Sequence, residues 1–154
     1  MTLSSPLFTV RGASEADVIA IVDLAKEART EIAQFRGHEH LLEASTVTEQ
    51  QWATTITSSN NIVLVASSSM SIIGFAMGDI DAKGTICTVS HVFVDPQARQ
   101  LGIGTRLVGE IARAAKDKGC RTLDAVALPG DRKMKNLYER IGMPARLLIA
   151  SKTL

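Results

Sequence analysis

Two glycines separated by one residue lie in the segment RQLGIGTRL, residues 99–107. Glycine tolerates positive φ angles, and because it has no Cβ atom a ligand can approach its backbone closely. At the start of a helix, free N–H groups and a partial positive charge favour a bound phosphate. Gly102 and Gly104 stand at such a place, and Arg99 and Arg106 could add charge-assisted hydrogen bonds. The segment therefore predicts a pyrophosphate site, and the alternative is a tight turn that only begins a helix.

The class of phosphate ligand is narrowed by what the segment lacks. A nucleotide P-loop requires Gly-Lys-Ser/Thr at the start of its helix, and this triplet is absent. A dinucleotide fingerprint would need a third glycine three residues after Gly104, where the chain has Leu107. The segment also lies two-thirds of the way along the chain rather than in a first strand-turn-helix unit. Neither nucleotide class is therefore predicted.

The elements next to the two glycines must hold the loop in place. Residues 85–95, TICTVSHVFVD, are rich in β-branched residues and predict a strand that Pro96 ends. Apolar residues then recur at helical spacing from about Gly102 to Lys118, and Gly119 is a favourable stop. A strand, a turn and an amphipathic helix are therefore predicted around the loop.

The remaining elements alternate in type along the chain. Strands are predicted at residues 7–11, in the segments NIVLVAS, SIIGFAMGDID and RTLDAVAL, and in a final segment, ARLLIASKTL. Helices are predicted after Ser14, in TVTEQQWATTITS with Thr46 or Thr48 near its cap, and in DRKMKNLYERI. The order β-α-α-β-β-β-α-β-α-β indicates an α+β fold, an α/β three-layer sandwich with helices on both faces of a mixed sheet.

Length and composition limit the number of domains and the classes of function that the chain can have. The 154 residues predict one domain, 1–154, and a net charge of +1 gives no reason to expect nucleic-acid or membrane binding. No apolar run approaches the ~20 residues that a membrane span needs. Cys87 and Cys120 are too few for a disulfide framework, so both are expected to be reduced thiols in a cytoplasmic protein.

The segment VFVDPQARQLGIGTRLVGEIARAAKDKG, residues 92–119, resembles the central motif of the GNAT superfamily of N-acetyltransferases. The family pattern is a strand, a proline-containing turn, and Arg-x-x-Gly-x-Gly on a helix, and Arg99, Gly102 and Gly104 match it. The predicted element order is similar to the family fold through nearly the whole chain. The segment ALPGDR, residues 127–132, also resembles small actinobacterial members of unassigned acceptor.

The resemblance implies acetyl-CoA as co-substrate and no metal. In the family, backbone N–H groups of this loop hold the pyrophosphate, and the strand before it lies along the pantetheine arm. Val92, Phe93 and Val94 would form that strand, and a backbone N–H of Phe93 or Val94 would polarise the thioester carbonyl. Asn136 would bond the pantetheine amides, and its alternative is a solvated helix residue. Together with Arg99, the loop amides carried over are those of Gln100, Leu101, Gly102, Ile103, Gly104 and Thr105.

Tyr138 resembles the family's usual proton donor to the leaving thiolate. Members commonly carry Asn-x-x-Ala-x-x-Leu-Tyr-x-x-x-Gly-Phe before the last strand, and this chain matches that pattern at Leu137, Tyr138 and Gly142. The family residue is replaced at three other positions, which are Asp131, Met134 and Met143. The alternative for Tyr138 is an aromatic packing residue with its hydroxyl at the cofactor edge.

Two residues are candidates for the base. Asp124 lies on a strand where some members that acetylate protein N-termini carry a glutamate, and it could relay a proton through water. His91 has an ordinary pKa that suits base work. The alternatives are a structural aspartate at the strand edge and a hydrogen-bonded strand histidine.

The resemblance therefore implies direct transfer of an acetyl group from acetyl-CoA to an amine, which could be a small molecule, an amino acid or a peptide amine. The alternative is a non-catalytic module that binds or senses acyl-CoA, and turnover would separate the two. A homodimer through the last strand is compatible with the sequence.

Overall fold

A five-stranded mixed sheet forms the centre of the protein, for which a computed structural model describes residues 7–43, 46, 48–69 and 71–154. The strands lie in the order of the chain, with β1 to β4 antiparallel and β5 parallel to β4. Their bounds are Thr9–Gly12 (β1), Asn61–Ser68 (β2), Ser71–Ile80 (β3), Ile86–Val94 (β4) and Thr122–Ala125 (β5).

Among the described residues, five α-helices and two 3-10 turns connect and cover these strands. Thr48 begins the third helix with a capping box, because its Oγ1 accepts from the Gln51 N–H and its N–H donates to the Gln51 side chain. The helices are Val18–Ile32 (α1), His38–Leu42 (α2), Glu49–Thr57 (α3), Ile103–Asp117 (α4) and Arg132–Arg140 (α5), and the 3-10 turns are Glu15–Asp17 and Pro96–Ala98.

The two faces of the sheet bury separate apolar cores. Successive side chains of a strand point to opposite faces, so Phe75 and Met77 pack with α1 and α3 while Ala76 packs with α4 and α5. Trp52 of α3 and Leu107 of α4 are fully buried on the two sides. The predicted three-layer α+β sandwich is confirmed.

A β-bulge in β4 is the irregularity that shapes the site. Met77 of β3 pairs with His91 and Gly78 pairs with Val89, so Ser90 is an extra residue in β4. The pairing of β5 with β4 also stops at Val89. The second half of β4 therefore has no strand on its β5 side within the part of the chain that the structure describes.

The predicted final strand is the point at which the structure corrects the sequence interpretation. Residues 144–154 form no strand, and Leu147, Leu148 and Ile149 are exposed. A strand needs an edge on which to pair, and the outermost strand on that side, β5, is only four residues long. β-propensity reflects packing against neighbouring strands more than an intrinsic backbone preference. Apolar composition alone therefore overstates the tendency of this segment to form a strand.

Two smaller features complete the fold. The segment HEHLLEAS, for which the sequence pattern predicts no element, contains the short helix α2, and its residues 44 and 45 lie outside the described residues. Among the described residues, no helix is both long and apolar enough to cross a membrane.

Candidate active site

The loop before α4 carries a row of free backbone donors. Gln100 and Gly102 both have left-handed backbone, with φ angles of 74° and 77°. The first hydrogen bond of the helix runs from the Arg106 N–H to the Gly102 carbonyl at 3.0 Å. The amides from Gln100 to Thr105 donate no hydrogen bond to any residue that the structure describes. This turn, with the partial positive charge of the helix N-terminus, forms a concave anion site.

The two glycines of the loop serve different purposes. A Cβ atom on Gly102 would meet nothing within 4 Å, so this residue is required by its positive φ and by the open space in front of it. A Cβ on Gly104 would lie 2.8 Å from Leu137 Cδ1 and 4.0 Å from side-chain atoms of Val92 and Val94. Gly104 therefore lets α5 and the second half of β4 approach the start of α4.

Arg99 ties the loop to the opposite face of the sheet. Its Nε donates to the Val94 carbonyl at 3.0 Å and its Nη2 pairs with Glu31 Oε1 of α1 at 2.7 Å. The guanidinium also stands over the Phe93 ring at 5.3 Å. Arg106 is likewise paired, with Glu110 at 3.1 Å. The positive character of the loop therefore comes first from its amides, and Arg99 acts as a clamp.

The open edge of β4 presents backbone groups beside this loop. The Asp95 N–H donates to the Ile73 carbonyl on β3 at 2.8 Å. Because backbone groups of successive strand residues point to alternate sides, the N–H groups of Val92 and Val94 face the open edge and that of Phe93 faces β3. Of the two amides considered for polarising a carbonyl, the geometry favours Val94.

Tyr138 lies in the apolar cluster between α4, α5 and β4. It is 7% exposed, and its hydroxyl has no hydrogen-bond partner among the described residues. Burial, with a smaller contribution from Asp131, raises the pKa of this phenol far above its ordinary value. Tyr138 is therefore protonated at neutral pH, and the raised pKa makes it a weaker acid than a tyrosine in water. Asn136 is exposed on the same helix.

A cavity of about 370 Å³ opens on the α1 and α3 face, near the bulge. The bulge directs both Ser90 and His91 into it, and Asp79 of β3 lines it as well. The other lining residues come from α2, α3, neighbouring strands and adjoining loops, and are His40, Leu41, Thr46, Thr55, Asn61, Met77, Thr88 and Val126. The cavity and the anion loop therefore flank the same stretch of β4.

His91 is half-buried and held by aromatic neighbours. Its ring makes an edge contact with Trp52 at 5.4 Å and lies 6.0 Å from the Phe75 ring. Its Nδ1 lies 3.2 Å from Ser90 Oγ. Burial lowers the pKa of His91, with a further lowering by Arg29 and an opposing effect of Asp79. The imidazole is therefore neutral at pH 7 and able to accept a proton.

Asp124 lies farther from the centre of the cavity. It is exposed on β5, where its cross-strand partner is Thr88, a cavity-lining residue. Leu123 and Ala125 pack on the α4 side, so Asp124 shares the cavity's side of the sheet. The structure thus brings His91 into the cavity and leaves Asp124 near its rim.

Other reactive residue types belong to the core or the surface. Cys87 is fully buried, and burial raises the pKa of its thiol to about 11, which leaves little thiolate at neutral pH. His38 Nδ1 lies 2.9 Å from the Phe35 carbonyl, whereas His40 lies at the cavity. Within the described ranges, no group of three or more His, Cys, Asp or Glu residues could hold a metal ion.

The sequence pattern does not single out Asp79 or Asn61, although both line the cavity. Asp79 Oδ1 accepts a hydrogen bond from Asn61 Nδ2 at 2.5 Å. Asp79 also pairs across the sheet with Asn61 and Thr88. The signal that could identify Asp79 is the register of the β3–β4 hairpin. In that register Asp79, two residues after Met77, lies beside Thr88.

Comparisons with known proteins identify the family of the chain. The model of the acetyltransferase (GNAT) family matches residues 20–143. The thialysine N-epsilon-acetyltransferase of Bos taurus is 32% identical over 60 residues, which are 39% of this chain and 35% of that protein. The chain thus spans about a third of the length of the curated relatives it matches.

Solved structures share the fold at low sequence identity. AAC(6')-Iy in complex with the bisubstrate analog CoA-S-monomethyl-acetylneamine is 17% identical, with a TM-score of 0.69 over 96% of this chain and 99% of that chain. A tetramutant of the BH1408 protein from Bacillus halodurans is 15% identical, with a TM-score of 0.79 over 95% of this chain and 99% of that chain. At these identities the likeness concerns the fold alone.

Proposed function

The chain belongs to the acetyltransferase (GNAT) family, and we propose that it is an N-acetyltransferase that uses acetyl-CoA to acetylate an amine directly. One observation carries the proposal. The free amides from Gln100 to Thr105 lie on the α4 side of β4, next to its open edge, and a cavity containing a neutral histidine lies on the α1 and α3 side of the same strand. A pyrophosphate-bearing thioester and an amine would then meet at β4.

The residues of the loop fit a CoA pyrophosphate. The amides from Gln100 to Thr105 are free, and the space in front of Gly102 is open. Helix N-termini and left-handed turns of this kind bind phosphates through several N–H groups at once. The N–H groups of Val92 and Val94 on the open edge would pair with an extended chain such as pantetheine.

The side chains on the two sides of β4 suit the proton movements of acetyl transfer. Acetyl-CoA supplies a thioester, and an uncharged amine attacks it, so a carbon–nitrogen bond forms as a carbon–sulfur bond breaks. The amine loses one proton, which neutral His91 can accept, and the sulfur gains one, which Tyr138 can donate. The Val94 N–H would stabilise charge on the carbonyl oxygen.

The acceptor is proposed to be an amine of small size or a peptide amine that reaches the cavity. The curated relatives are named thialysine N-epsilon-acetyltransferases, which supports an amine as the acceptor class. The solved relative with a bisubstrate analog shows that the same fold accommodates CoA joined to an acceptor.

The test is to measure acetyl-CoA affinity by calorimetry and thiol release with a panel of amines. The proposal predicts binding together with amine-dependent release of free thiol. Tight binding of acetyl-CoA without turnover on any amine would favour the alternative, a module that binds or senses acyl-CoA. Absence of binding would contradict both.

A further inference from the structure

Asp79 is the one carboxylate among the described residues that line the cavity. Its Oδ1 accepts from the Asn61 amide, and among the described residues it forms no ion pair with a lysine or arginine. Although the charge of Arg29 also acts on His91, the Asp79 carboxylate itself has no ion pair among the described residues, so its end of the cavity is negatively charged. A positively charged group of a ligand would complete this pairing.

The position of Asp79 relative to His91 follows from the strand register. Met77 pairs with His91, and Asp79 is two residues farther along β3 on the same face of the sheet. Two residues of a strand span about 7 Å. The two side chains therefore line one cavity at positions about 7 Å apart along the strand.

The chemistry of the reaction separates the roles of these two groups. A reacting amine must be uncharged, whereas a neighbouring carboxylate favours the charged ammonium form. Asp79 is therefore unsuited to hold the nitrogen that reacts. It suits a second cationic group of the same molecule, while the reacting nitrogen lies beside His91.

We propose that Asp79 anchors a second, cationic group of the acceptor, so that the preferred acceptors are small amines with a positive charge about 7 Å from the reacting nitrogen. Simple α,ω-diamines are the minimal members of this class. The cavity of about 370 Å³ is at the small end of ligand pockets, which fits a compact molecule. The inference rests on the proposed acetyl transfer, in which the anchored group keeps its proton and takes no part.

The experiment compares α,ω-diamines of three to six carbons with monoamines of the same chain lengths, in the wild type and in Asp79→Asn. A charge-assisted hydrogen bond predicts a kcat/KM about 10- to 100-fold higher for the best diamine than for its matched monoamine. In Asp79→Asn this advantage should vanish through KM, so diamines should lose far more kcat/KM than monoamines, and acetyl-CoA affinity should stay as in the wild type. The amide can still accept from Asn61, so the fold should be kept.

Two further variants make the result specific to this carboxylate. Asp79→Glu keeps the charge and should retain most of the diamine preference. Asp117→Asn removes an exposed carboxylate from α4 on the other face of the sheet and should leave the preference as in the wild type. If Asp79→Asn fails to fold, loss of the preference must instead be shown with Asp79→Ser.

Failure of this inference differs from failure of the proposed function. Turnover on amines with no diamine advantage, or an equal loss for diamines and monoamines in Asp79→Asn, would overturn the anchor alone. If the wild type acetylates no amine, the proposed function fails. Calorimetry then tests whether Asp79 binds the diamines. Equal diamine affinity of the wild type and Asp79→Asn would overturn the anchor.

Discussion

The two sides of β4 are built in different ways. On the α4 side, the proposed anion site is one continuous segment of free backbone amides from Gln100 to Thr105. On the α1 and α3 side, the cavity is assembled from side chains of two helices, three strands and adjoining loops. A backbone site depends on local conformation, whereas a side-chain site depends on residues that only the tertiary fold brings together.

This difference has a functional consequence. In a site made of backbone amides, most side chains can change without changing what the site binds. Such a site suits a ligand that is the same in every reaction. A cavity made of side chains changes its preference with each substitution. We therefore propose that the loop holds the common cofactor and that the cavity sets the chain's own specificity, and four variants, two of them with a matched control, test this.

The largest effect is expected for Gly102→Asp. This change forces a side chain into a left-handed conformation and places a negative charge where the pyrophosphate is proposed to bind. We predict at least about 100-fold weaker acetyl-CoA binding by calorimetry, which corresponds to about 2.7 kcal/mol.

Gly109→Asp is the matched control, because it adds the same charge to an exposed position of the same helix where a Cβ also meets nothing within 4 Å. It should bind acetyl-CoA nearly as the wild type does. Unchanged affinity of a folded Gly102→Asp protein would remove the loop from the site.

The next effect concerns Tyr138, the proposed proton donor beside the loop. Tyr138→Phe keeps the ring in its apolar cluster and removes a hydroxyl that has no partner among the described residues. We predict a fall in kcat of about 100-fold, the lower end for loss of a general acid, with the acetyl-CoA dissociation constant within twofold of the wild type. An unchanged kcat would identify Tyr138 as a packing residue.

A pH profile tests the cavity side of the comparison. Burial lowers the pKa of His91 below its ordinary value of 6.5. On acidification the imidazole therefore takes up its proton at a lower pH than a free imidazole does. The ratio of kcat/KM for wild type to that for His91→Gln should therefore be constant above pH 6.5 and decrease at lower pH, as the protonated ring loses its ability to accept a proton. A ratio that is flat across the acid range would show that His91 is not the base.

The smallest effect is expected where the two regions are joined. Glu31→Gln breaks the ion pair through which Arg99 ties the loop to α1, and this pair is partly exposed. We predict a loss of about 0.5 kcal/mol in unfolding free energy, measured by urea denaturation. Glu27→Gln, which changes an exposed residue of the same helix, should lose nothing measurable. Equal stability of both variants would mean that Arg99 does not link the two regions.

The position of the loop between β4 and α4 could be predicted from sequence because its determinants are adjacent. Gly102 and Gly104 follow a strand that ends at a proline and begin an amphipathic helix, and the structure gives that helix the bounds Ile103–Asp117. The sequence likewise predicts Thr46 or Thr48 as the cap of α3, and the structure has Thr48 there, because a cap depends on nearby residues. Local chemistry is enough for such features.

The cavity could not be predicted in the same way. Asp79 becomes a site residue only through its pairing with Thr88, and Ser90 and His91 share a face only because of the bulge. Neither the register nor a bulge has a strong local signal. For the last segment the sequence predicts an element that is absent. The apolar run at 147–149 suggests a strand, but residues 144–154 form none.

The central claim is that the two sides of β4 hold a thioester and an amine for direct transfer. The most direct measurement quantifies free thiol and N-acetylated amine in the same reaction, by thiol titration and mass spectrometry. The account predicts equal amounts of both, formed only when acetyl-CoA and an amine are present together. Thiol released without acetylated amine, or acetyl-CoA bound without any product, would contradict it.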